Sequence, residues 1–324
     1  MSLDGLADAL TVIYDPVRPN LRTTRSVLNG SGFRRIEGFV DVPDFIRQLG
    51  DNDVTLIMIE VVGAEVDVPE LIQSIRRGDK GRNPFVPIIA TTWSGQTDLI
   101  AALMNAGADD VLLRPFSVSA LNDRVRSIIF GRKDFVITSD YIGPDRGRVG
   151  NNALAPGQFK PPNPLRSRAL AGETLDLMAE ADALNTAKRR LGRDRVSRLA
   201  RRVAMAAEVT IQASGEGSTS AYVEDMLNTC AELIRAARTA EAEEIDDLAS
   251  VLDRTASRAA IPGPEQAEHA RLTRELALAL YLAYASEDAE AFQAELDATL
   301  MAVRVRLDKA RERAQRRTTM ALLG

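Results

Sequence analysis

The stretch Gly107-Ala108-Asp109-Asp110-Val111-Leu112-Leu113-Arg114-Pro115-Phe116 places a short β-type run, 110–113, ahead of a basic residue, a proline and an aromatic ring. Helical spacing follows it in Leu121, Val125, Ile128 and Ile129, and precedes it in Leu99, Ala102, Leu103 and Ala106. Outward from this strand–loop–helix unit the same alternation repeats. β-type runs lie at 10–14, 36–40, 55–59 and 86–91, separated by helical stripes such as Leu21/Val27/Leu28, Phe45/Ile46/Leu49 and Leu71/Ile72/Ile75. Strands alternating with helices argue for a parallel sheet covered on both faces, and near-continuous apolar runs suit strands buried on both sides. The fold class expected for residues 9–132 is therefore α/β, doubly wound, with a five-stranded parallel sheet.

The composition changes at 133–166, where Gly143, Gly147, Gly150 and Gly157 mix with Pro144, Pro156, Pro161, Pro162 and Pro164. With no periodic apolar residues, the segment reads as a linker holding neither helix nor sheet. Residues 167–324 read as helix throughout. Leu170, Leu177, Leu184 and Leu191 recur at heptad spacing, 215–220 interrupts the pattern, and Ile261-Pro262-Gly263-Pro264 stops it again. Later stripes run through Leu272, Leu276 and Leu280, then Phe292, Leu296, Val303, Leu307 and Ala314, so an all-helical bundle of six amphipathic helices is expected.

The chain has 324 residues, 45% hydrophobic and 27% charged, with a formal net charge of −5. That balance gives no global attraction to nucleic acid or anionic lipid. The single cysteine, Cys230, excludes an internal disulfide framework. No signal-peptide pattern and no long apolar span stand out, so a cytoplasmic protein without membrane association is expected. His269 is the only histidine, which excludes a His-based triad or a multi-histidine metal site. It shares a stripe with Leu272 and reads as an edge-of-core residue rather than a phosphotransfer histidine. No Gly-x-Ser-x-Gly or phosphate-cradling loop occurs, so no catalytic residues are assigned and the chain is not expected to be an enzyme.

With these elements placed, residues 9–132 resemble the receiver domain of bacterial response regulators. Asp15 follows the first strand, and Glu60 ends the run Leu56-Ile57-Met58-Ile59-Glu60. Thr92 ends Pro87-Ile88-Ile89-Ala90-Thr91-Thr92, and the 107–116 stretch is close to the family's Gly-Ala-…-Lys-Pro-Phe. The resemblance implies a flavodoxin-like sheet with a pocket at the carboxyl ends of its strands. There an aspartate accepts a phosphoryl group, two acids help to hold Mg²⁺, and a hydroxyl and a lysine contact the phosphoryl oxygens. The implied pocket comprises Glu60 at the acceptor position with Asp15, Thr92, Arg114 and Pro115 around it.

Several of those positions depart from the family. Glu60 replaces the aspartate, Pro16 takes the second acidic position, Arg114 replaces the lysine, and Val111 stands where a Tyr or Phe is common. One added C–C bond moves a carboxylate outward by about 1.5 Å. A shift of about 1 Å at a reacting centre can cost roughly 10²-fold in rate. Acyl-phosphate formation on Glu60, Mg²⁺ binding and any other cofactor are therefore not expected. A partly exposed Glu60–Arg114 ion pair, contributing about 0–1 kcal/mol, is one expected replacement, holding the pocket in an active-like state without phosphate. The bland alternative leaves Glu60 as a solvated loop residue on an inert scaffold.

The expected function is bacterial two-component or phosphorelay signalling through a non-phosphorylated receiver that docks a protein: a kinase, another regulator or a second copy of the chain in a homodimer. The face made by the fifth strand and the following helix, 118–129, is expected to offer a moderately apolar contact surface beside the altered pocket. A conventional phosphorylation-dependent regulator is the first alternative. A nucleic-acid-binding helical output domain is the second, suggested by basic stretches at 188–202 and 304–317 but opposed by acids at 241–247 and sparse aromatics. Asp140-Tyr141-Ile142-Gly143-Pro144-Asp145-Arg146 resembles a tail found after some receivers, or else is a turn that tucks against the domain.

Overall fold

Strands β1 (Thr11–Tyr14), β2 (Ile36–Phe39), β3 (Leu56–Glu60), β4 (Ile88–Thr92) and β5 (Asp110–Leu113) form one parallel sheet in the order β2-β1-β3-β4-β5. The computed structural model describes residues 3–51, 53–138, 140–147, 158–213, 220–239, 243–263 and 265–284. Every residue of β1, β3 and β4 is buried, as the apolar runs require, whereas the outer strands β2 and β5 are mixed. Helices α1 (Arg18–Gly30), α2 (Val42–Asp51), α3 (Val68–Arg77), α4 (Thr97–Ala106) and α5 (Val118–Gly131) connect and cover the sheet. One face packs Val12, Ile57, Ile59 and Ile88 against residues of α2, α3 and α4, and the other packs Ile13, Leu56, Met58 and Ile89 against α1 and α5.

Local chemistry fixes the helix ends. Asp67 caps α3 by accepting from the Glu70 N–H at 3.1 Å, and Ser117 caps α5 by accepting from the Ala120 N–H at 3.1 Å. Gly107 ends α4 with φ +104°, and a side chain there would lie 2.6 Å from the Ile142 carbonyl oxygen. Glycine is needed at that position on both counts.

The segment 133–166 departs from the linker expectation wherever it is described. Strands β6 (Phe135–Ile137) and β7 (Ile142–Pro144) form an antiparallel hairpin, Phe159 bridges back to Phe135, and α6 (Pro164–Ala171) begins before the segment ends. The physical reason is aromatic and ionic rather than periodic. Phe85, Phe135 and Phe159 meet edge to face with centroids 5.6–6.3 Å apart. The guanidinium groups of Arg76 and Arg132 lie 5.2 and 4.8 Å from the Phe135 ring centroid. Both arginines converge on buried Asp109: Arg76 donates at 2.7 Å and the Arg132 Nε–H at 2.7 Å, while the Ile88 N–H donates at 2.9 Å. Burial alone would raise the Asp109 pKa, but the two guanidinium groups bring it below the ordinary carboxylate value. The 140–146 stretch tucks against the domain through Arg146, which donates to the Asp109 carbonyl at 3.2 Å.

The helices that follow are α7 (Leu177–Ala213), α8 (Ser220–Thr239), α9 (Glu243–Ala259) and α10 (Gln266–Tyr284). The chain separates into two compact units, 1–191 and 192–324, so the division falls inside the 37-residue α7. The heptad leucines all belong to the first unit and differ in burial: Leu177 is 56% exposed, while Leu191 is buried with the phenylalanine cluster. The second unit packs around small side chains, among them Ala200, Ala204, Ala207, Ala236, Ala256, Ala270 and Ala277. The stripe from Phe292 to Ala314 and the basic residues at 304–317 lie outside the described residues.

Phe135→Ala should cost about 3–5 kcal/mol in urea unfolding of the full chain, the scale of a buried aromatic truncation. A true linker residue would change stability by less than about 0.5 kcal/mol.

Candidate functional site at the carboxyl ends of the strands

Sheet register brings four chain segments to one point. Tyr14 pairs with Ile59, Glu60 with Thr91, and Thr92 with Leu113, so Asp15, Glu60, the two threonines and Arg114 all sit at the same edge. Asp15 and Glu60 are 0% and 1% exposed, and the Arg114 side chain is 4% exposed. Glu60 is thus the buried last residue of β3 rather than a solvated loop residue, and its ion pair with Arg114 is buried rather than partly exposed.

The Arg114 side chain lies between the two acids. Its Nε–H donates to Glu60 Oε2. One terminal nitrogen donates to Asp15 Oδ2 at 3.0 Å, to Thr24 Oγ1 at 2.8 Å and more weakly to Thr91 Oγ1 at 3.3 Å. The Phe116 ring centroid lies 5.1 Å from the guanidinium carbon. The second oxygens of both carboxylates are held by backbone: Glu60 Oε1 accepts from the Val62 N–H at 3.0 Å, and Asp15 Oδ1 from the Val17 N–H at 2.9 Å. The Thr91 hydroxyl donates to Glu60 Oε2 at 2.7 Å. A planar guanidinium with several fixed donors can serve such a site where an ammonium cannot.

Two acids and one guanidinium leave an excess negative charge when all are ionised. Burial raises the Asp15 pKa from 3.8 to about 6, against the lowering effects of the Val17 N–H and Arg114, while Glu60 adds to the rise. Asp15 is therefore the group through which the site takes up a proton on mild acidification.

Of the sequence-predicted residues, Asp15, Glu60 and Arg114 come together and Thr92 and Pro115 do not. The Thr92 hydroxyl instead accepts from the Ser94 N–H at 3.1 Å, within its own loop. Pro115 follows a cis peptide bond and is exposed. Two contributors went unrecognised in the sequence. Thr91 faces Glu60 through strand register, and Thr24 comes from α1, where its spacing of three from Leu21 and four from Leu28 puts it on the inward stripe.

The apolar residues of α5, Leu121, Val125, Ile128 and Ile129, are buried in the core, so the contact face expected at 118–129 is largely polar. His269 is 21% exposed and lies 3.7 Å from Glu265, at the edge of the second core. Several basic residues at 188–202 are engaged within their own units: Arg190 stacks on Phe159, Arg193 on Tyr284, Arg195 is buried, and Arg202 pairs with Asp225.

Residues 12–126 match the family model described as the response regulator receiver domain. A receiver domain protein described as CheY-like from Methanospirillum hungatei is 17% identical, with 37% of this chain and 91% of that chain covered and a TM-score of 0.33. A response regulator from Thermotoga maritima is 24% identical, over 37% and 96% of the two chains, with a TM-score of 0.31. Full-length FixJ from B. japonicum is 15% identical, over 72% of this chain and 98% of its own, with a TM-score of 0.33. Residues 12–126 are thus similar to a receiver domain, which supports two-component signalling as the setting of the N-terminal part of the chain. No described helix is long and apolar enough to cross a membrane.

Arg114→Ala strips two buried acids of their counter-charge and should destabilise the chain by about 3–5 kcal/mol, read by urea unfolding at pH 7. A second expectation concerns pH. In the window between the ordinary value of 3.8 and about 6, the folded chain keeps a proton on Asp15 that the unfolded chain releases. Stability from this group therefore falls as pH rises through the window and levels off above it. Asp15→Asn should flatten that slope in unfolding curves taken across the same range.

Proposed function

We infer that the receiver domain docks protein partners without passing through a phosphorylated state, and that the helical region is the second partner-binding element. The observation that carries this reading is the buried Arg114 side chain, bonded to both acids of the pocket at once. Every carboxylate oxygen of Asp15 and Glu60 already accepts a hydrogen bond. A nucleophilic Glu60 would have to give up the Val62 N–H partner of Oε1, or the Arg114 and Thr91 partners of Oε2, before that oxygen attacked phosphorus. Each is a charge-assisted bond, and such bonds contribute about 1.5–3 kcal/mol apiece.

The donor set does not fit Mg²⁺. That ion needs near-octahedral oxygen geometry. Here Pro16 offers no side-chain oxygen, and a fixed positive charge already lies against both remaining acids. No step is assigned to the metal. The arginine supplies permanently a positive charge of the kind a metal would otherwise bring, so the chain itself offsets one of the two acids of the pocket. Partners of the kind receivers engage, a kinase, another regulator or a second copy, would meet a single fixed surface in the cytoplasm. The nucleic-acid reading loses support because Arg190, Arg193, Arg195 and Arg202 are spent on rings, burial or an acid.

Incubation with acetyl phosphate and Mg²⁺, followed by intact-mass measurement, tests this directly. No phosphoryl adduct is expected on the full-length chain. A labile adduct that disappears in Glu60→Gln would overturn the reading in favour of a working phospho-switch.

A further inference from the structure

At the amino-terminal edge of the sheet, opposite Glu60, the first unit encloses a cleft of about 140 Å³. Its apolar lining includes Val54, Ile57, Ile75 and Val86, all buried. Ala181 and Leu184 of α7 line it as well. Charged groups complete the lining. Arg82 and Asp53 approach each other at 3.5 Å and offset one another, which leaves Arg168 from α6 with Lys188 and Glu180 from α7. None of these three forms an ion pair among the described residues, so two cations against one acid leave one net positive charge.

Arg168 is the telling residue. Its Nε–H is buried and has no hydrogen-bond partner. An unmet buried donor costs about 1–3 kcal/mol, and charged groups cost more. Arg168 also lines the cleft without an ion pair among the described residues, so its guanidinium is placed to take an acceptor brought from outside. A guanidinium matches a carboxylate through two parallel hydrogen bonds, and the neighbouring apolar residues suit a carbon skeleton rather than a hydrated inorganic ion.

We propose that this cleft binds a small organic carboxylate whose apolar body rests on Val54, Ile57, Ile75 and Val86 while its carboxylate meets Arg168, with Lys188 as the second cation. Glu180 disfavours multiply charged anions, so the ligand is a monocarboxylate. The site is independent of the Arg114 cluster, and its failure would leave the reading of that cluster untouched.

Benzoate is a suitable probe, titrated into the full-length chain by isothermal calorimetry beside benzamide, its uncharged analogue, and inorganic phosphate, an anion without an apolar body. Saturable benzoate binding is expected, with both comparators at least about tenfold weaker, the equivalent of one lost charge-assisted contact. Arg168→Gln should weaken benzoate about tenfold on the same scale. Ala181→Trp, on an exposed helix position that lines the cleft, should block binding while the circular dichroism spectrum stays unchanged. Absence of saturable benzoate binding, equal affinity for benzamide or phosphate, or undiminished binding in a folded Ala181→Trp chain would each overturn the proposal.

Discussion

One guanidinium group ties the carboxyl ends of the sheet together. Arg114, entering from the end of β5, reaches Glu60 on β3, Asp15 after β1, Thr91 on β4 and Thr24 on α1. Burying a charge is costly unless it is both paired and fully hydrogen-bonded. The cluster meets that condition by distributing the donors of one planar side chain over two acids and two hydroxyls, with backbone N–H groups closing the remaining carboxylate oxygens. A pocket built this way resists opening, because any one group that leaves strands the others in a dry environment.

A second arginine-centred cluster does comparable work on the adjoining hairpin. Arg76 donates to the carbonyls of Gly107, Pro84 and Val86 as well as to Asp109, and Arg132 closes the other side of that acid and bonds to Pro162. Phe135 lies against both cations. A stretch rich in proline and glycine is thereby held to the domain by a few strong contacts, without the periodic apolar stripe that ordinarily marks a folded element. The long helix α7 starts beyond it and carries its own charged and apolar faces into the second unit.

The sheet was readable because fully buried parallel strands are short and nearly all apolar, and Leu56-Ile57-Met58-Ile59 and Ile88-Ile89-Ala90 follow that pattern without interruption. Glu60, Asp15 and Arg114 were readable as pocket residues because each ends or follows a strand. Their burial was not, since a carboxylate beside an arginine in sequence terms says nothing about exclusion of water. Thr91 and Thr92 are adjacent, and only strand register decides which hydroxyl faces Glu60. Thr24 was hidden by its type: a threonine on a helix stripe is ordinarily filler, and it becomes a ligand only once Arg114 is known to point at it. The hairpin was missed for a related reason, because cation–ring contacts between residues as distant as Arg76 and Phe135 leave no local pattern.

The most direct test of the arginine-filled pocket is a crystal structure of the chain grown with Mg²⁺ and beryllofluoride, a phosphoryl mimic. The expected result is the Arg114 guanidinium still hydrogen-bonded to both Asp15 and Glu60, with no mimic on Glu60. Density for a metal at Asp15 and beryllofluoride on Glu60, with Arg114 swung away, would contradict it.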